Sequence, residues 1–205
     1  MTFLSIDLSN DFILLQDRLR PDVYIEVGAF DAEFSRTIKS KYPDAEVWAF
    51  EASPFVYQKN SPMDGINYIN KAVSDKNDII DFQLQADLHP IVGNNSILKR
   101  KENKEYFYIP VESVTLNDIF KDKKNICLWI DCEGANKEVL TGASKILDKV
   151  SSIFIEVEEI EYWENQWLDK DVESYLNNFG FKIVKRDSQY ENQYNCIFLK
   201  EEYIK

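Results

Sequence analysis

Two patterns of apolar and polar positions alternate along the chain. The first is a short, nearly unbroken apolar run, as in "VYIEV" (Val23 to Val27), "EVWAFE" (Glu46 to Glu51), "INYINKAVS" (Ile66 to Ser74), "ICLWID" (Ile126 to Asp131) and "SIFIEVE" (Ser152 to Glu158). Runs of this length, bounded by turn residues, predict strands buried on both faces. The second pattern spaces apolar residues three or four apart, as in "FILLQDRL" (Phe12 to Leu19), "AEFSRTIKSKY" (Ala32 to Tyr42), "NKEVLTGASKIL" (Asn136 to Leu147) and "DVESYLNNFGF" (Asp171 to Phe181). These predict amphipathic helices. Ser9 or Asp11 is placed to cap the first, Pro43 closes the second, Pro54 opens a short helix after "EAS", and Gly180 stops the last. "IIDFQLQ" (Ile79 to Gln85) alternates like an added strand, and "FYIPVESVTL" (Phe107 to Leu116) returns to strand character. "KIVKR" and "YNCIFLK" predict a closing hairpin. Strand-like and helical stretches in alternation predict an α/β fold with a mostly parallel sheet covered by helices. We expect one domain over residues 1–205, with an N-terminal helix inside 1–20 and a polar loop over 86–106 that lies over the substrate.

The loop after the first buried strand raises a question of charge. In "VYIEVGAFDAEF", an apolar strand runs into a glycine and then a helix start, as in nucleotide-binding domains, yet Glu26 and Asp31 flank the glycine. A phosphate on this loop would meet a carboxylate within ~4 Å, at a cost of about 1–4 kcal/mol. NAD, FAD and ATP are therefore disfavoured here. S-adenosylmethionine reverses the sign, because it carries a sulfonium and an ammonium and no phosphate. Asp31 is also placed to cap the following helix, which is compatible with nearness to a ligand. Glu26 could alternatively be a strand-end acid facing solvent. Glu51 ends the next strand, 23 residues after Gly28. An acid at that strand tip hydrogen-bonds ribose hydroxyls.

Composition narrows the classes of partner. The chain has 205 residues, 44% hydrophobic, enough for a real core, and a formal charge of −12. So acidic a surface argues against nucleic acid and against anionic membranes. No apolar stretch approaches the ~20 residues of a membrane span, and the N-terminus lacks the basic start of a signal peptide. We expect a cytoplasmic protein. Its cysteines, Cys127, Cys132 and Cys196, form no CxxC pair and are expected as reduced, mostly buried thiols.

"VYIEVGAFDAEFS", "VWAFEASPFVY", "INYINKAVSDK", "VTLNDI" and "WIDCEGANKEVLTGASKIL" occur in an order that resembles the FkbM family of S-adenosylmethionine-dependent methyltransferases. The resemblance spans Val23 to about Glu159. It implies a class I methyltransferase Rossmann-like fold, a mostly parallel seven-stranded sheet with helices on both faces and an antiparallel C-terminal hairpin. It also implies methyl transfer to a hydroxyl of a sugar, glycan or related small molecule. Carried over residue by residue, Glu26, Gly28 and Ala29 would line the methionine end of the cofactor, with Phe30 and Asp31 in the same loop. Glu51 would hold the ribose beside Ala52 and Ser53, and Ala72 and Val73 would flank the adenine. Asp131, Cys132 and Glu133 would stand at the strand tip beside the transferred methyl. The family usually has Asn and Gly where this chain has Phe30 and Ala32, Glu at Asn136 and Asp at Asn117. Those departures bear on cofactor affinity.

A sugar hydroxyl needs a general base or a metal ion to become a nucleophile. If the chain stays extended, Asp131 and Glu133 point the same way and suit a base or a divalent cation such as Mg2+. Otherwise Glu133 pairs with a lysine or caps the next helix. His89, the single histidine, is either a surface loop residue or a base poised near neutrality. "GNNS" (Gly93 to Ser96) is either a substrate contact or a solvent turn. "EVEEIEYWENQWLD" (Glu156 to Asp169) sets acids around Tyr162, Trp163 and Trp167, as carbohydrate sites do and as a packed acidic face also does. A non-catalytic S-adenosylmethionine-binding module and an NAD-linked oxidoreductase are the rival functions. A small-molecule or glycan substrate is the expected partner, and a homodimer is left open.

Overall fold

The computed structural model describes residues 3–4, 7–85, 93–102, 104–188 and 190–204. Its first helix starts earlier than the apolar spacing suggests. After a two-residue strand β1 (Phe3–Leu4), helix α1 spans Leu8–Leu19, and its cap is Asp7, whose side chain accepts the Asn10 N–H, not Ser9 or Asp11. Strand β2 (Val23–Val27) is buried at all five positions, as its unbroken apolar run requires. Helix α2 (Glu33–Lys41), strand β3 (Glu46–Phe50) and helix α3 (Pro54–Asn60) follow, with Ser53 capping α3 at the Val56 N–H. The stretch 66–74 is not one strand. It divides into β4 (Asn67–Ile69) and β5 (Ala72–Val73), with Asn70 turned aside to donate to the Glu51 and Ala52 carbonyls. Then come β6 (Ile79–Gln85), β7 (Tyr106–Val114), α4 (Leu116–Phe120), β8 (Ile126–Ile130), α5 (Asn136–Gly142), β9 (Val150–Glu158), α6 (Asp169–Asn177), β10 (Phe181–Arg186) and β11 (Gln193–Lys200).

The main sheet has the order β1-β10-β11-β9-β8-β2-β3-β4. Seven of these strands form the expected mostly parallel sheet, and β1 extends its edge beside β10. Only β11 runs against its neighbours, β9 and β10, which makes the C-terminal antiparallel hairpin. Residue alternation sends side chains to two cores. Val23, Ile25 and Val27 of β2 join Ile126, Leu128 and Ile130 of β8 under α4, α5 and α6. Tyr24 and Cys127 point the other way, against Phe12 of α1 and Phe34 and Ile38 of α2. Burying strands on both faces is what a crossover helix on each side of a parallel sheet achieves. A second sheet, β5-β7-β6, stands beside the edge of the first and contributes its own small core of Ala72, Phe82, Leu84 and Val111. All three cysteines are free thiols, two of them buried. Among the described residues, no helix is long and apolar enough to cross a membrane.

Candidate active site

The order β8-β2-β3 brings three strand ends together. Val27 pairs with both Phe50 and Ile130, so Gly28, Glu51 and Asp131 leave the sheet side by side. This is the switch point at which open α/β sheets bind ligands. A cleft opens there. Gly28, Phe30, Glu51, Ala52 and Ser53 line one side of it, and Ala72 and Val73 another. Asp131, Cys132 and Glu133 close its end. The "GNNS" segment also reaches it, through Gly93, Asn95 and Ser96, and the Ser96 hydroxyl donates to the Glu133 carbonyl. A neighbouring recess on the α2 side is lined by Glu26, Gly28, Ala29, Phe30, Asp31 and Asp131. His89 lies outside the described residues, as does the rest of 86–92.

The two loop acids differ in their surroundings. Glu26 is buried, 4% exposed, and its Oε2 accepts the Ser35 N–H at 2.9 Å. It faces neither solvent nor a counter-cation; it sits on the N-terminal turn of α2, where a carboxylate satisfies an orphan N–H. Burial pushes its pKa up to about 8, opposed by the Ser35 hydrogen bond. Asp31 is exposed and does not cap α2: the cap position is Ala32, with left-handed φ of 57° and no side-chain hydrogen bond. The physical reason is that Glu26 already serves that helix end from the strand beneath. Glu51 is 7% exposed; its Oε2 accepts the Phe30 N–H at 2.8 Å and its Oε1 the Ser53 N–H at 2.6 Å. It ties the β2 loop to the β3 loop while lining the cleft, and burial raises its pKa to about 6.

The chain does not stay extended past β8. Glu133 has φ of +49° and Gly134 of +82°, so the backbone turns sharply after Asp131. The two carboxylates meet all the same, and a third joins them. Oxygens of Asp131, Glu133 and Glu156 all lie within 4.8 Å of one another. Glu156 comes from β9, where Ile155 pairs with Ile130, so the residues after each pair stand at the same level. No lysine pairs with Glu133 among the described residues. Burial, then the charge of Asp131, raises its pKa to about 8, and burial raises Asp131 and Glu156 as well. Three carboxylates this close do not all ionise at neutral pH. Such a group can share a proton, or offer hard oxygen donors to a divalent cation.

Asp131, Glu133 and Glu156 also border a second, wider cavity, with Arg100, Trp129, Tyr162, Trp163, Tyr190 and Asn195 around it. Trp163 is 2% exposed, with Arg100 5.1 Å over its ring and Gly134 against its edge, so it shapes the wall and leaves the exposed aromatic surface to Tyr162 and Tyr190. Trp167 is not part of the site; it packs on Tyr175 at the main core. Lys101 N donates to the Tyr162 carbonyl and Glu164 N to the Lys99 carbonyl, so the 99–101 segment closes over the 162–164 segment. Sequence reasoning did not single out Arg100 or Asn195, and it treated Glu156 as one acid in a stripe, because only strand pairing shows that Glu156 stands beside Asp131.

A family model described as the methyltransferase FkbM domain matches residues 17–183. The chain belongs to the FkbM family of S-adenosylmethionine-dependent methyltransferases. Among relatives of this FkbM domain, the 2-O-methyltransferase NoeI of Sinorhizobium fredii is 27% identical over 171 residues, covering 72% of this chain and 68% of that one. The methyltransferase sdnD of Sordaria araneosa is 23% identical over 198 residues, covering 78% of this chain and 74% of that one. The crystal structure of an FkbM methyltransferase from Methylobacillus flagellatus superposes with a TM-score of 0.54 at 13% identity, which supports the fold. That superposition covers 87% of this chain and 43% of the other, so this FkbM domain spans less than half of that protein's length.

Proposed function

We propose that this FkbM domain transfers a methyl group from S-adenosylmethionine to a hydroxyl oxygen of a sugar or related small molecule. One observation carries the reading. The cleft at the β2, β3 and β8 ends is lined by acids, and it shares Asp131 and Glu133 with a second cavity of acids and aromatics. Among the described residues lining the cleft, Lys71 is the one cation, and it is paired with Glu112 at 2.7 Å. A phosphate therefore finds no free positive side chain there, while a sulfonium and an ammonium find Glu51, Asp131 and Glu133. This argues for S-adenosylmethionine and against a pyrophosphate cofactor such as NAD.

The bound cofactor supplies an electrophilic methyl group. The chain supplies alignment and a proton acceptor. Asp131 and Glu133 border both cavities, so an acceptor hydroxyl approaching the methyl meets them first. The ionised member of the three-carboxylate group accepts the hydroxyl proton, and Glu156 shares it from the acceptor side. Tyr162, Tyr190 and Asn195 suit a polyol, with aromatic faces beside polar groups. The name of the relative NoeI, a 2-O-methyltransferase, adds weight to oxygen as the acceptor atom. The same three carboxylates match the donor set of a hard cation, and activity after chelation decides between Mg2+ and a shared proton at these atoms.

Isothermal titration calorimetry with S-adenosylmethionine and S-adenosylhomocysteine tests the cofactor, with micromolar binding expected and absence of both bindings sinking the reading. Turnover of a panel of neutral sugars tests the acceptor. Glu156→Gln, which removes a carboxyl group from the acceptor cavity alone, is expected to lower turnover by roughly tenfold or more while leaving cofactor affinity within about threefold. Retained cofactor binding without turnover on any acceptor would favour a binding module instead.

A further inference from the structure

Phe30 adopts a backbone conformation that an aromatic residue rarely chooses. Its φ is +47°, in the left-handed region. A non-glycine residue there costs on the order of 1–3 kcal/mol and persists only when its surroundings impose it. Three hydrogen bonds impose it. The Phe30 N–H donates to Glu51 Oε2, and the Phe30 carbonyl accepts from the Tyr68 hydroxyl at 3.0 Å and from Asn60 Nδ2 at 3.1 Å. Tyr68 is 8% exposed and stacks on Tyr57 with 4.8 Å between ring centroids, so its hydroxyl is held in place. Asn60 is the last residue of α3. The loop after β2 is thereby fastened to α3 and β4, elements distant from it in sequence.

This fastening decides where the Phe30 ring stands. Phe30 is a third exposed, and it borders both the cleft at Glu51 and the recess at Glu26. Apart from Gly28, which has no side chain, it shares that position only with Asp131 among the described residues. A ligand running from one space to the other passes the Phe30 ring.

We propose that Tyr68 and Asn60 are cofactor-positioning residues: they clamp the Phe30 carbonyl and so hold the Phe30 ring as the wall between the adenosyl and amino-acid ends of the cofactor. The proposal rests on the S-adenosylmethionine reading above. Release of the carbonyl lets the backbone relax to negative φ. That shift swings the ring out of the cleft and draws the Phe30 N–H off Glu51.

The test is calorimetric titration of Tyr68→Phe, Asn60→Ala and Phe30→Asn with S-adenosylmethionine and S-adenosylhomocysteine, with thermal midpoints measured alongside. Tyr68→Phe keeps the stacking on Tyr57 and loses the hydroxyl that donates to the Phe30 carbonyl, and it is expected to weaken both ligands about fivefold. Asn60→Ala, at a partly exposed helix end, is expected to do the same and carries the test if Tyr68→Phe does not fold. Asparagine enters the left-handed region more readily than phenylalanine, so Tyr68→Phe added to Phe30→Asn is expected to cost less than about twofold further. Unchanged affinity in folded Tyr68→Phe and Asn60→Ala would overturn the proposal. So would an equal loss of affinity with and without Phe30→Asn, because the clamp would then act on something other than the left-handed loop. If the unaltered protein binds neither ligand, the cofactor reading fails first and this proposal falls with it.

Discussion

A methyl group added at Gly28 would lie 1.7 Å from the Asp131 carbonyl oxygen, at a residue whose φ is +76°. The glycine is demanded by the neighbouring strand end, so β2 and β8 can deliver their terminal residues to one point. Gly134, at φ of +82°, is different: its added carbon would meet Trp163 Cε3 at 2.5 Å, a side chain where Gly28 meets backbone. Gly28→Ala is therefore expected to lose about 3 kcal/mol or more, from a backbone clash together with left-handed strain. Gly134→Ala is expected to lose less, and to disturb the Arg100–Trp163 wall instead. Urea unfolding of the two variants checks the order, and equal losses would contradict it. Glycine at this loop was legible in the sequence, but its reason was not, because the clash partner is 103 residues away.

Helix caps at the element scale separate stability from function. Thr115 caps α4 by accepting the Asp118 N–H, and its hydroxyl donates to the Asp118 carboxylate, away from the cleft. Ser53 caps α3 in the same manner, but its own N–H also bonds Glu51 and it lines the cleft. Thr115→Val and Ser53→Ala are each expected to destabilise by about 1 kcal/mol. Only Ser53→Ala is expected to weaken cofactor binding as well, and matched denaturation and calorimetry would expose any other pattern. Ser53 before Pro54 announced its helix in the sequence, since a capping side chain and a proline at the first turn are local signals. Asp7 and Ala32 escaped local reasoning. The first helix is extended by Leu8, which packs against the sheet, and the second is served by Glu26 from another element.

The buried acids dominate the whole molecule. Glu26 and Glu158 both have pKa values raised to about 8, chiefly by burial, against an ordinary value of 4.5. Between those values the folded chain binds more protons than the unfolded chain. Their contribution is fully present below about pH 4.5 and is lost as pH rises through about 8. The thermal midpoint of the ligand-free protein is thus expected to fall between about pH 5.5 and pH 8.5. A midpoint that rises over that window would refute the assignment. A cation beside Glu26 favours its ionised form, so S-adenosylmethionine binding at neutral pH is expected to release protons. Calorimetry in buffers of differing ionisation enthalpy measures that release.

The sequence by itself determined the alternation of buried strands and helices, the glycine loop with its acids, and the acid at the end of β3. Each is written in local spacing and residue type, and the alternation follows from burying a sheet on both faces. Only the tertiary structure decided that Glu156 joins Asp131 and Glu133, that Glu26 supports a helix end, and that residues 66–74 divide between two sheets. Those outcomes depend on strand register and on which backbone groups remain unsatisfied after packing. Both are set by contacts between segments far apart in the chain.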